Sequence, residues 1–304
     1  MYLATVTCNR DFQQMLLQAE SIQRFLSPCK HVIIVNESNP DLDFWYRWLQ
    51  PYYTNHELVI RPRIEYAYPH SILGVRDRYG EIDSTSNGWR TQQLQKMLLA
   101  YEYEDDYLLL DSKNFFIKPT DLSEWNDIIG SGIYCGFGAV HHFVGSYKKY
   151  AELFKRDVDY YSLPSTPFKI KKEPLITNCT FEELGYKLFY PEHSLNGPAS
   201  EGIFYSFYAN DEISKLVGSP IKKGKIILID DVSDGEKVDK NKLAKLIMDI
   251  NKDPNMKTVA IHREVLSKVD DKDMKLLEFW LNSENSLSLK FKNKIYPMPR
   301  DSHI

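Results

Sequence analysis

Hydrophobic positions along the chain change their period in a regular way. Tyr2 to Thr7 is a continuous β-prone run that stops at Cys8-Asn9-Arg10-Asp11, the pattern of a buried strand. Phe12, Met15, Leu16, Ala19, Ile22, Phe25 and Leu26 then recur at three- and four-residue spacing, which predicts a helix with one apolar stripe. Asn9 or Asp11 is placed to cap it, and Pro28 lies just past its end. His31 to Val35 is a second apolar run, closing at Asn36-Glu37-Ser38-Asn39-Pro40. Strand, helix, strand in this order predicts the opening of a parallel α/β sheet.

The pattern continues with an aromatic-rich helix from Leu42 that ends near Pro51, and a short strand over Leu58 to Ile60. Gly74 to Gly88 is polar, contains Arg76 and Arg78, and has the length of a lid. A helix follows from Trp89. Leu94, Met97, Leu98 and Tyr101 form its apolar face, and Trp89, Gln92 and Lys96 fall together opposite. Tyr107 to Leu110 reads as a core strand, and Phe115 to Ile117 as a second apolar patch stopping at Pro119. Ile133 to Val140 predicts a strand, Ser146 to Phe154 a helix, Tyr160 to Pro174 a loop, and Phe181 to Leu188 a helix. Ser200-Glu201 leads another helix after the Gly197-Pro198 turn. Beyond it come a strand at Ile226 to Ile229, an amphipathic helix at Asn241 to Ile250, a strand at Thr258 to Ile261 and a helix at Met274 to Leu281. A boundary near Ser219-Pro220 divides a core of residues 1–219 from an extension over 220–304, unless the two form one domain.

Composition narrows the classes. With 304 residues, 43% hydrophobic, the chain can bury a large core. A net charge of −4 with interspersed signs gives no basic stripe for nucleic acid. No apolar run reaches the ~18 residues of a membrane span, and the first residues lack the basic region of a signal peptide. Cys8, Cys29, Cys135 and Cys179 have no paired metal spacing. Free thiols and a cytoplasmic location are the expectation. No GxGxxG follows the first strand, so the dinucleotide fingerprint is missing.

Chemistry concentrates where the core strand Tyr107–Leu110 breaks into Asp111-Ser112-Lys113-Asn114. The carboxyl ends of strands are where α/β sheets bind ligands. Apolar strand, Asp111-Ser112-Lys113-Asn114, then Phe-Phe-Ile-Lys-Pro resembles the DxD region of GT-A glycosyltransferases. The preceding Trp89-x-x-Gln92-Gln93-x-x-Lys96 helix is similar to one in bacterial and viral GT-A-like proteins. The resemblance is fullest over Leu3 to Pro119. It implies a GT-A-like (Rossmann-like), mostly parallel sheet flanked by helices, and transfer of a sugar from a UDP- or GDP-sugar, UDP favoured, to a glycan or other hydroxyl acceptor. It places Thr7, Asn9, Arg10 and Asn36 toward the nucleoside, with Trp89, Gln92, Gln93, Lys96, Asp111, Ser112 and Lys113 around the donor. His262 matches a late histidine used at many metal–diphosphate sites. Ser200-Glu201-x-x-x-x-Tyr resembles the acceptor-side motif, with Glu201 as the base if the enzyme inverts.

The sequence departs from DxD at Lys113, which stands where the second acid is expected. A lysine a few ångströms from a cation site costs ~1–4 kcal/mol at effective dielectrics of 80 to 20. No metal is therefore expected to be required. A divalent Mn2+ or Mg2+ ion held by Asp111 and His262 is the alternative. A non-catalytic GT-A-like nucleotide- or carbohydrate-binding protein is the rival class, favoured by the missing acid.

Overall fold

The computed structural model describes residues 1–65, 87–125, 134–135, 144–158, 161–162, 166–193, 200–216, 224–227, 229–232 and 238–261. The chain opens with β1 (Tyr2–Thr7), α1 (Phe12–Phe25), β2 (Lys30–Val35), α2 (Leu42–Leu49) and β3 (Glu57–Pro62). It continues with α3 (Asn87–Glu102), β4 (Tyr107–Asp111) and β5 (Asn114–Phe116). Next come β6 (Tyr134–Cys135), α4 (Val144–Phe154), β7 (Tyr161–Ser162) and β8 (Phe168–Ile170). Then follow α5 (Lys172–Asn178), α6 (Phe181–His193), α7 (Glu201–Leu216), β9 (Gly224–Ile227), α8 (Ile229–Val232), α9 (Lys240–Lys252) and β10 (Thr258–Ile261).

The central sheet runs β3-β2-β1-β4-β8. Its first four strands are parallel, and β8 pairs antiparallel with β4. Side chains alternate between two layers, as the strand pleat requires. Leu3, Ile33, Val35, Leu108 and Leu110 pack toward α1, α2 and α9 with Phe12, Met15, Trp45, Leu243 and Ile250. Tyr2, Ala4, Val6, Val32, Ile34, Tyr107 and Leu109 pack on the other face with Leu94, Met97, Leu98, Phe189 and Phe204. The fold is thus α/β, with a mostly parallel sheet between helical layers. Strand order reverses between β1 and β4, and the crevice at a reversal's carboxyl end is the ligand position of open α/β sheets.

A second sheet runs β5-β10-β9, with β10 antiparallel to β5 and parallel to β9. It joins the segment after residue 220 to the core, where Leu243, Ile247, Ile250, Val259 and Ile261 share a cluster with Leu3 and Phe116. Lys118 adds a polar tie, its Nζ donating to the carbonyls of Asn251 at 3.1 Å and Asp253 at 2.7 Å, at the end of α9.

Several local expectations change. Neither Asn9 nor Asp11 caps α1 through its side chain: Asp11 holds the N-cap position, but its carboxylate accepts from Ser112 instead. The side of α3 opposite its apolar face is packed as well. Gln93, Gln95 and Lys96 are buried beside Leu94 and Met97, because β1, α5, α6 and α7 all pack around this helix. Gln95 there bonds both the N–H and the carbonyl of Ile64, at 2.7 and 2.9 Å. The Tyr160 to Pro174 segment contains β8 and the start of α5 rather than only loop. Its lysine obscured the strand; Lys169 is buried because Asp106 neutralises it at 3.2 Å. The strand placed at Ile226–Ile229 is β9, ending at Ile227, and Ile229 opens the short α8 instead. The lid over 74–86, most of the strand placed over 133–140 and the helix at 274–281 lie outside the described residues.

Candidate functional site

The chemistry gathers at the carboxyl end of β4. Asp111 is the last residue of that strand, and its N–H donates to Asn114 Oδ1 at 2.7 Å, closing a tight turn into β5. One carboxylate oxygen meets Lys96 Nζ at 2.9 Å and the other Lys113 Nζ at 3.2 Å. Lys96 also donates to Glu201 Oε1 at 2.7 Å. The result is a bridged group of two ammonium and two carboxylate side chains, neutral in sum.

Each member is positioned by its element. The backbone carbonyl of Lys96, in α3, accepts from Tyr107 OH at 2.6 Å, which fixes the helix against the first residue of β4. Glu201 is the first residue of α7, where a carboxylate suits the helix dipole. Ser200 caps that helix, its Oγ accepting from Ile203 N–H at 3.3 Å. Side-chain exposure grades outward from 4% at Lys96 and 5% at Glu201 to 17% at Asp111 and 27% at Lys113. Burial opposes the Asp111 charge, but Lys96 and then Lys113 outweigh it and hold the carboxyl well below the usual range. Burial likewise penalises the Lys96 ammonium, yet Asp111 and Glu201 together raise it above an ordinary lysine. Both charges are therefore fixed at neutral pH.

Other sequence-predicted residues lie around this group. Gln92 Nε2 donates to the Val6 carbonyl at 3.1 Å, joining α3 to the end of β1. Gln93 is buried in the same helix. Ser112 Oγ donates to Asp11 Oδ2 at 2.8 Å, bridging the turn to the start of α1. Asn9 N–H donates to Glu37 Oε1 at 2.9 Å, and Asn36 Nδ2 donates to Thr91 Oγ1 at 2.9 Å. Thr7 Oγ1 and Asn36 Oδ1, at the ends of β1 and β2, are buried polar atoms that find no hydrogen-bond partner among the described residues. Arg10 is exposed beside them. Thr7, Asn9 and Asn36 thus lie at the carboxyl ends of β1 and β2, and Asp111, Ser112 and Lys113 at that of β4, where Lys96 and Glu201 join Asp111. The side chain of Trp89 and all of His262, Arg76 and Arg78 lie outside the described residues.

Of the residues that support the turn, sequence reasoning named Asp11 only as a cap and Asn114 only as part of the polar corner, and it missed Gln18. Gln18 carried a signal, because it stands three residues after Met15 and four before Ile22, on the apolar stripe of α1. A glutamine there must be buried and must find partners.

Among the described residues, no three His, Cys, Asp or Glu side chains are grouped to hold a metal ion, and no helix is long and apolar enough to cross a membrane. Cys8, Cys29 and Cys179 are free thiols.

No protein-family model matches the sequence, and no curated protein does. Solved structures of similar shape include mouse xyloside xylosyltransferase 1 in its apo form, at 9% identity and a TM-score of 0.40, covering 69% of this chain and 82% of that one. The galactosyltransferase LgtC, in complex with donor and acceptor sugar analogues, aligns at 12% identity and a TM-score of 0.38, covering 68% and 70%. The glycosyltransferase GlyE of Streptococcus pneumoniae aligns at 14% identity and a TM-score of 0.34. The match takes 70% of this chain but only 44% of GlyE.

Proposed function

We propose that this chain is a glycosyltransferase of the GT-A type, moving a sugar from a nucleoside-diphosphate donor to a hydroxyl acceptor. The observation that carries the reading is the Lys113–Asp111–Lys96–Glu201 group at the sheet's reversal point. In the reaction, the bond from the sugar's anomeric carbon to the diphosphate oxygen breaks with its electron pair. The acceptor oxygen bonds to that carbon and gives up its proton, to Glu201 if the configuration inverts. Negative charge grows on the leaving diphosphate and needs a cation.

Lys113 is the less buried ammonium of the group and is the residue to supply that cation. Moving from Asp111 to a phosphate oxygen exchanges one charge-assisted bond for another, while Lys96 keeps Asp111 neutralised. A divalent ion suits this donor set poorly, because each Asp111 oxygen already faces an ammonium. Thr7, Asn9, Arg10 and Asn36 would meet the nucleoside, with uracil the favoured base. Trp89, Gln92 and Gln93 would line the donor side, and the acceptor would be a glycan or similar hydroxyl compound. His262 would join the diphosphate. With free thiols, the cytoplasm remains the compartment proposed.

A second reading has its own observation. Glu201 is buried and ion-paired to Lys96, an arrangement that also serves a binding protein without a base. Incubation with UDP- and GDP-sugars and a panel of acceptors, read by released nucleotide, separates the two. Release that vanishes in Asp111→Ala, with cooperative melting kept, supports the enzyme. Tight binding of UDP with no release under any acceptor supports the binding protein.

A further inference from the structure

We propose that Gln18 is a positioning residue that sets the Asp111–Asn114 turn through a buried, one-directional chain of hydrogen bonds. Only the nature of the ligand rests on the function proposed above. Gln18 sits in α1 with no solvent exposure. Its Nε2 donates to the Asp111 carbonyl at 2.8 Å and the Asn114 carbonyl at 2.9 Å, the two ends of the turn that carries Ser112 and Lys113. One amide group therefore spans the turn from behind. One helical turn on, Ser21 Oγ accepts from Phe116 N–H at 3.1 Å and ties β5 to the same helix.

The two turn carbonyls fix which way the amide points, and the chain behind Gln18 follows from it. Both N–H groups of Nε2 are used on the turn, so Oε1 must accept, and Thr5 Oγ1 donates to it at 2.8 Å. Having spent its proton, the Thr5 hydroxyl must accept from His31 Nε2–H at 2.9 Å. His31 is then the neutral tautomer with a bare Nδ1, which accepts from Tyr53 OH at 2.7 Å. Tyr53, His31, Thr5 and Gln18 are all buried, in the layer between sheet and α1. A flipped amide would turn the oxygen of Gln18 toward two carbonyls, neither of which has a hydrogen to give it. This order of donors allows one orientation, and that orientation holds the turn closed.

Gln18→Met keeps the volume and removes the donors, and Gln18→Glu keeps the shape and points a carboxylate at the two carbonyls. The measurements are amide hydrogen exchange over residues 111–114, compared with β1, and UDP affinity by calorimetry. Both variants should melt cooperatively, with exchange over the turn at least about tenfold faster, the weight of one lost buried hydrogen bond, and β1 protection kept. UDP affinity should fall by a similar factor. Gln18→Met should be the more stable of the two yet still show the loosened turn. If Gln18→Glu does not fold, Gln18→Met decides alone. Thr5→Val should give a weaker form of the same local change, and Thr5→Ser should restore the wild-type turn. Wild-type exchange over the turn in Gln18→Met, or protection lost equally through β1, would overturn the inference by making Gln18 a filler of volume. Should the wild-type protein bind neither UDP nor GDP nor their sugars, the proposed function fails, and the exchange measurements still decide the role of Gln18.

Discussion

Replacing Lys96 by methionine removes one charge and leaves two carboxylates facing each other. The Asp111 and Glu201 oxygens lie 2.9 and 2.7 Å from a single nitrogen, so they are at most about 5.6 Å apart. At an effective dielectric of ~20, like charges at that separation repel by up to ~3 kcal/mol, less what Lys113, still 3.2 Å from Asp111, neutralises. Removing one partner from a buried ion pair costs ~3–5 kcal/mol by a separate route, and the two figures are of the same order. Lys96 and Glu201 are nearly fully buried, so solvent screens little of this. A loss of ~3–5 kcal/mol is a large part of a domain's ~5–15 kcal/mol. The loss should depend on pH. Without Lys96, one carboxylate has a folded pKa raised above its unfolded value of ~4, so its contribution is complete below ~4 and is lost as pH rises. The gap between wild type and variant should therefore narrow by up to ~1.4 kcal/mol per unit as pH falls from 7 toward 5. Urea unfolding at pH 7 and pH 5 measures both. A loss under ~1 kcal/mol, or one that does not change with pH, would refute the argument and place the pair effectively in water.

Glu201→Gln keeps the shape and, if the enzyme inverts, should lower transfer by ~10²–10⁴ while UDP affinity stays near wild type; a loss of UDP binding instead would move Glu201 to the donor side. Nucleotide release should persist in excess EDTA, and Lys113→Ala should weaken UDP binding at least about tenfold, the value of a charge-assisted bond; release abolished by EDTA and restored by manganese would return the metal to the mechanism. Burial, with a smaller contribution from His56, pushes the His31 imidazole down to about 3. It is neutral in the fold, so its contribution is complete above ~6.5 and is lost as pH falls through 3, by up to ~5 kcal/mol in all. His31→Gln should flatten the unfolding free energy between pH 6.5 and 4, and an unchanged slope would show that other groups govern acid stability.

The parallel sheet was legible because its strands are continuous apolar runs that stop at polar corners. β1, β2 and β4 each end where Thr7, Val35 and Asp111 meet polar residues. The Asp111 corner was legible for the same reason. What periodicity could not give is the partner of each charge. Lys96 reads as the polar side of an amphipathic helix, and only packing on several sides of α3 turns it inward. Strand β8 was hidden by Lys169, whose counter-charge on Asp106 is distant in sequence. Gln18 shows a limit of another kind. Its position on an apolar stripe marks it as buried, but its two carbonyl acceptors, on Asp111 and Asn114, belong to a turn nearly a hundred positions later.

The pairing of β5 with β10 has a consequence for how the protein is made. Strand β5 begins at Asn114, the last residue of the turn, and β10 is its sheet neighbour. Gln18 and Ser21 of α1 already hold this side of the turn, but register joins Asn114 to Ala260, so the ribosome must deliver the chain as far as β10 before β5 gains its sheet neighbour. The first four parallel strands are complete long before that point, and long-range pairing is the slow step of folding. A nascent chain therefore carries its parallel sheet first and its second sheet last. Until then β5 has an open edge, the kind of surface that invites mispairing and calls for a chaperone.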